Sequence, residues 1–393
     1  IGNSVWEDGN NNGIQDPGEN GIENVLVILH YFDGMQCIAV DSVYTDPDGG
    51  YVFDSLITGK YLVEIDETNF LPGGPLANYA SSSGNGAENL TSGPNETAPD
   101  PDDNADLDDN GTMNGNPMFP GSVFSDTLDL NGNEPIGAAD SAGLDDLSGA
   151  LDGNSNLTVD FGFVPLHSIG NQVWTDTDND GIKDPAETGI QNVLVVLHYY
   201  DGIQCISVDS VYTDPNGGYL FDSLIAGKYL VEIDETNFLP GGALEGLASS
   251  SGSGANDLSS GPYETAPDPD NNIDSDDNGT MDGNANFPGS VFSDTLDLNG
   301  NEPIGAADTA GLDDNSGALD IMSNLTVDFG FVPMHSLGNT VWIDVNNDGI
   351  KQDAEVGIGN VKVILHYYDP LTMTCILLDS TVTDPNGGYL FDS

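Results

Sequence analysis

The chain has no arginine and only five lysines against 66 acidic residues, a formal charge of −61 over 393 residues. So negative a surface repels phosphate, which excludes nucleic acid and anionic membrane as partners and leaves cations as the species it attracts. It also strains a compact state unless metal or salt offsets it, and both metal binding and adaptation to salty water fit the composition. Cysteine is scarce. Cys37, Cys205 and Cys375 fall at equivalent points of successive repeats, too far apart for a disulfide, which needs Cα atoms within about 7 Å. Each reads as a small buried hydrophobe, with pairing between chains left open by the odd count. Long apolar runs are missing too: the longest is Val25 to Leu29, so no segment of the sequence crosses a bilayer. Sustained helical spacing is absent. So are an initiator methionine and a signal peptide at the start, which suggests a processed or partial chain. The hydrophobic content of 37% nevertheless suffices for real cores, which excludes a disordered acidic tail.

What the chain has in abundance is repetition. A twelve-residue segment from Asp8 to Glu19 returns from Asp176 to Glu187 and from Asp344 to Glu355, each copy 168 residues after the last. All three fit D-x-[DN]-x-[DN]-G-x5-E, the spacing that gathers oxygens around a calcium ion. Side chains supply positions 1, 3 and 5, a backbone carbonyl position 7, and a two-oxygen glutamate position 12. The expected ligands are Asp8, Asn10, Asn12, Ile14 through its carbonyl, Asp16 and Glu19 in the first copy. In the second they are Asp176, Asp178, Asp180, Ile182, Asp184 and Glu187, and in the third Asp344, Asn346, Asp348, Ile350 and Glu355. Gly13, Gly181 and Gly349 make the sharp turn. Repeat two has aspartates where repeat one has Asn10 and Asn12, so it is expected to bind tightest. Val5 and Trp6 before the first loop, and Gly21, Ile22 and Val25 after it, read as strands, so only the ligand spacing is that of an EF-hand.

The whole chain repeats at the same spacing. Ile1-Gly2-Asn3 returns as Ile169-Gly170-Asn171 and as Leu337-Gly338-Asn339, giving units 1–166 and 167–334 and a partial third, 335–393. Val25, Val27, Leu29 and Tyr31 alternate with Leu26, Ile28, His30 and Phe32, the pattern of a strand inside a sandwich. Cys37 to Thr45, Tyr51 to Phe53, Tyr61 to Ile65, Phe124 to Leu130 and Leu157 to Phe163 also read as strands, with Asp46-Pro47-Asp48-Gly49-Gly50 as a tight turn. A Gly-, Ser-, Asn-, Asp- and Pro-rich stretch from Asn69 to Asn156 is too long to be all loop. The linkers, Leu166-His167-Ser168 and Met334-His335-Ser336, are short enough to imply a stiff rod.

These residues resemble a known family. Val173-Trp174 leading into Asp176, Asp178, Asp180, Gly181 and Ile182, then Glu187, Gly189 and Ile190 and the turn from Thr213 to Tyr219, are similar to the B repeats of serine-aspartate-repeat surface proteins. Asn324 to Pro333, followed by the next Leu-Gly-Asn, looks like tandem versions in large secreted proteins. The resemblance covers both complete repeats and the fragment. It implies an all-β chain of tandem Ig-like, collagen-adhesin-B-like β-sandwiches, stabilised by calcium and used as a spacer or scaffold at the cell surface. The glycine-rich insertion is longer here than in the usual B repeat. Related collagen-adhesin B modules often carry a lysine–asparagine cross-link, but lysines recur only at Lys60/Lys228 and Lys183/Lys351, and no clear candidate set exists.

A second candidate metal segment contains Asp106, Asp108 and Asn110, with Asp109 off the ligand pattern, and is copied as Asp274, Asp276 and Asn278. It lacks the terminal glutamate and would need distant acids such as Asp100 or Asp102; a solvated acidic loop is the alternative. His30, His198 and His366 read as packed side chains rather than zinc ligands, and Trp6, Trp174 and Trp342 as core anchors. Asp-Ser or Asp-Thr followed by an aliphatic residue or threonine, as at Thr127 and Thr295, resembles an O-glycosylation acceptor, with turn chemistry as the alternative. No nucleophile–base pattern or phosphate-cradling loop appears, so no catalytic activity is expected. The sequence points to an extracellular rod or filament of calcium-stiffened modules, built with further repeats or further copies of itself. A surface adhesin whose repeats bind a protein or glycan is the alternative.

Overall fold

The computed structural model describes residues 1–82, 100–102, 108–113, 121–135, 153–250, 268–270, 276–281, 289–304, 321–369 and 374–392. Unit one contains β1 (Gly2–Glu7), β2 (Leu26–Phe32), β3 (Cys37–Tyr44), β4 (Gly50–Val52), β5 (Gly59–Ile65), β6 (Tyr79–Ser81), β7 (Val123–Phe124), β8 (Leu128–Leu130) and β9 (Phe161–Pro165). Among the described residues the helical elements named in the two complete units are single 3-10 turns, Glu67–Phe70 and Glu235–Phe238. In each, an aspartate at the N-cap, Asp66 or Asp234, accepts from the amide two residues on, as capping by a short carboxylate requires.

The strands form two sheets, in the orders β4-β1-β9-β6 and β3-β2-β5-β7, with β8 also on β5. β1 runs antiparallel to β4 and parallel to β9, with Val5 opposite Phe161, Trp6 opposite Gly162 and Glu7 opposite Phe163. The alternation seen in the sequence fills the space between the sheets: Val27, Leu29, Val63, Ile65, Phe161 and Phe163 are all fully buried. Each contributes about 1.5–3 kcal/mol by leaving water. Trp6 is fully buried as well, but outside that cluster, lying against Gly162 of β9.

Unit two repeats this plan with β10 (His167–Thr175), β11 (Leu194–Tyr200), β12 (Cys205–Tyr212), β13 (Gly218–Leu224), β14 (Gly227–Ile233), β15 (Leu247–Ser249), β16 (Val291–Phe292), β17 (Leu296–Leu298), β18 (Ser323–Asn324) and β19 (Phe329–Pro333). The third unit has β20 (Leu337–Thr340) paired with β23 (Gly388–Phe391), and β21 (Lys362–Asp369) paired with β22 (Thr374–Val382). In this unit Leu377 is 62% and Leu337 56% exposed.

Some expectations change. The stretch Phe124 to Leu130 is two short strands, because Ser125 turns inward, accepts from the Val63 amide and donates to the Asp126 carbonyl. His167 and Ser168, expected in a linker, are buried members of β10, which leaves Leu166 alone between β9 and β10. The cysteines are not buried: Cys37 and Cys205 are half-buried and Cys375 is exposed, since each opens or lies near the start of β3, β12 or β22 and its side chain has no second layer to pack under.

Candidate metal centre

Each twelve-residue loop is shaped by its own acceptors. In the first, Asp8 has no exposure and accepts from the amides of Asn12 at 3.2 Å and Gly13 at 2.7 Å. Asn10 and Asn12 accept from the amides two residues on, and Glu19 folds back to take the amides of Gly9 and Asp16, both at 2.9 Å. In the second loop Asp176 accepts from Asn179 and Gly181, Asp180 from Ile182, and Glu187 from Thr177 and Asp184. In the third, Asp344 takes Asp348 and Gly349 and Glu355 takes Val345 and Gln352. The winding is possible because two positions per loop adopt left-handed backbone: Asn11, Asn179 and Asn347 with φ of 53°, 58° and 59°, and Gly13, Gly181 and Gly349 with 68°, 72° and 74°. Asparagine and glycine tolerate that region best.

Position 1 and position 12 thus meet although ten residues separate them, and in repeat two they meet another acid. Carboxylate oxygens of Asp176, Asp178 and Glu187 lie within 4.8 Å of one another. Asp178 is pushed up from the ordinary carboxylate range first by Asp180, then by loss of water and by Asp176, Glu187 and Asp184. In repeat one, burial raises Asp8, and burial followed by the charges of Asp8 and Asp16 raises Glu19. Oxygen donors crowded until they repel one another suit a hard divalent cation, and all the expected side-chain ligands of the three loops lie on these turns.

The second segment is brought to the first loop. Asp108 bridges antiparallel to Ile14, and Asp276 to Ile182, while the amides of Asp109 and Asp277 donate to Gly13 and Gly181 at 2.8 Å. Asn110 and Asn278 accept from the amides of Asp160 and Asp328. Asp106 and Asp274 lie outside the described residues. Asp102, offered as a distant ligand, accepts instead from the Asp129 amide and the Asn156 side chain.

The weaker candidates resolve locally. Asp46 accepts from the amides of Asp48 and Gly50 and so closes its own turn, as do Asp214 and Asp384. His30 is buried 2.5 Å from Glu64, which also accepts from Ser122 at 2.7 Å; His198, Glu232 and Ser290 repeat the arrangement. No lysine is buried among the described residues. Thr127 and Thr295 are half-buried, their amides donating to the preceding aspartates.

The sequence matches the SdrD B-like domain over residues 1–100, 167–276 and 335–393. The chain belongs to the SdrD B-like domain family. It is similar to serine-aspartate repeat-containing protein F of Staphylococcus epidermidis, at 28% identity over 396 residues, and to serine-aspartate repeat-containing protein D of Staphylococcus aureus, at 29% over 451 residues. Each match covers the whole of this chain but only 17% and 29% of those proteins. The shaft pilin SpaA of Lactobacillus rhamnosus GG, as a double mutant, aligns with 85% of this chain and 96% of its own at 9% identity, with a TM-score of 0.23, too low to carry weight. The SdrD B-like chain is extracellular, at the cell surface. Among its described residues no helix is long and apolar enough to cross a membrane.

Proposed function

We propose that this SdrD B-like chain is a non-enzymatic spacer in a rod or filament outside a bacterial cell, stiffened by calcium held in its three loops. The acid cluster of Asp176, Asp178 and Glu187 carries the reading. Carboxylates pressed together on a turn that already satisfies its own amides lack only positive charge, and this chain has almost none of its own. Bound there, calcium would supply that charge and pin position 12 to position 1, tying the end of β1 or β10 to the strand-like segment that follows each loop. Residues 8–19, 176–187 and 344–355 would hold the ion; nothing else in the units is asked to act chemically. Further repeats or further copies would extend the assembly. Melting the chain in calcium and in EDTA tests this: a higher transition in calcium is expected, and an unchanged one refutes it. Electron micrographs of native material with and without chelator would show whether stiffness goes with the metal.

A further inference from the structure

Behind the loops of units one and two lies a buried carboxylate. Asp109 and Asp277 have no exposure, and donors from three separate parts of the chain converge on each. Asp109 accepts from the amides of Gly111 at 2.8 Å and Gly162 at 3.1 Å and from the Ser82 hydroxyl at 3.0 Å. Asp277 accepts from Gly279 at 2.9 Å, Gly330 at 3.1 Å and Ser250 at 2.8 Å. The space is made for these bonds: a Cβ on Gly162 would stand 2.4 Å from the Ser82 hydroxyl, and one on Gly330 2.3 Å from that of Ser250.

The same residues fasten the loop. The Asp109 amide donates to Gly13 and its neighbour Asp108 bridges Ile14, so the backbone on either side of the position-7 carbonyl is fixed from outside the loop; Asp277, Gly181, Asp276 and Ile182 repeat this. Asn110 and Thr112 tie the other end of the strap to Asp160 and Phe124. The third loop has the same internal bonds as the other two.

We propose that Asp109 and Asp277 are positioning residues for the cation loops, anchoring a strap that holds the position-7 carbonyl in its binding direction. This rests on the calcium reading above. A preformed site binds more tightly than one that must be ordered by its ion, and groups that orient ligands are worth about 10- to 100-fold in metal affinity.

The test is calorimetric titration of the full chain with calcium alone. The Asp109→Asn/Asp277→Asn double variant should lower the affinities of loops one and two by roughly 10-fold or more while leaving that of loop three unchanged. A double variant whose melting point in EDTA falls while its calcium affinities stay put overturns the strap, because that is what a purely structural role gives. If the double variant fails to fold, Ser82→Ala/Ser250→Ala removes one donor from each carboxylate and keeps its charge; a smaller drop at the same two sites supports the strap, and unchanged affinities overturn it. No heat at all from the unaltered chain overturns the calcium reading itself, and the strap with it.

Discussion

Replacing Glu187 by alanine separates what the ion contributes from what the folded loop contributes. Glu187 is 8% exposed and uses one oxygen for the amide and hydroxyl of Thr177 and the other for the Asp184 amide. With calcium at a hundredfold excess over Kd, a site stabilises its domain by about 2.7 kcal/mol; if losing the two-oxygen ligand costs about 100-fold in affinity, only about 0.4 kcal/mol remains. The loss of about 2.3 kcal/mol should lower the melting point of repeat two by roughly 5–9 °C, at 2–4 °C per kcal/mol for a domain of this size. In EDTA the same substitution strips acceptors from three partly exposed donors that water can serve. It also removes one charge from a repelling cluster, so about 1 kcal/mol or less is at stake. Scanning calorimetry in both buffers gives the two numbers. Equal falls in calcium and EDTA would refute the assignment of Glu187 as a ligand.

Asp178→Asn, which copies the residue at the same position in the other two loops, should weaken calcium binding at repeat two without lowering its stability in EDTA, because Asp180 and its neighbours already disfavour the Asp178 charge; a clear loss in EDTA would contradict this. Asp8, Glu19 and Asp178 are all raised, so the fold is penalised while they are ionised. Stability in EDTA should therefore rise as pH falls from neutral toward their raised range, above the ordinary 3.8 and 4.5. In calcium it should fall over the same interval as protons displace the ion, and parallel curves in the two buffers would count against the site. Glu232→Ala removes the carboxylate that His198 and Ser290 share in a buried setting, and urea denaturation should show a loss of about 2–4 kcal/mol in repeat two whether or not calcium is present.

The loops and the sandwich were legible because their signals are local. The twelve-residue pattern contains its own turn, and Val27, Leu29, Val63 and Ile65 announce a buried face by alternation alone. Ser125 was not legible: the first of three polar residues between Phe124 and Leu128 looks like a surface position, yet it turns into the sheet to serve the Val63 amide. Ser82 and Asp109 were harder still. Asp109 sat one residue off the ligand pattern, and its partners lie 27 and 53 residues away in sequence, so no spacing rule joins them. The one available hint was that Ser82, Asp109 and Gly162 return unchanged as Ser250, Asp277 and Gly330, the serine and aspartate inside a stretch whose composition otherwise reads largely as loop. The cysteines misled for the opposite reason, since their residue type favours burial while their place at the start of an outer strand does not.

One consequence follows from the pairing of first and last strands. A pull along the chain enters unit two through β10 and leaves through β19, and these two strands lie side by side and parallel, with Val173, Trp174 and Thr175 opposite Phe329, Gly330 and Phe331. Tension therefore drags the strands past each other in shear and loads the evenly spaced, slanted bonds of a parallel ladder together, where a hairpin pulled open at its ends would lose them one after another. β1 and β9 repeat the geometry in unit one, with Leu166 the sole residue between them and the next unit's β10. Traction on such a chain passes from one sheared ladder directly into the next, with almost no slack in between.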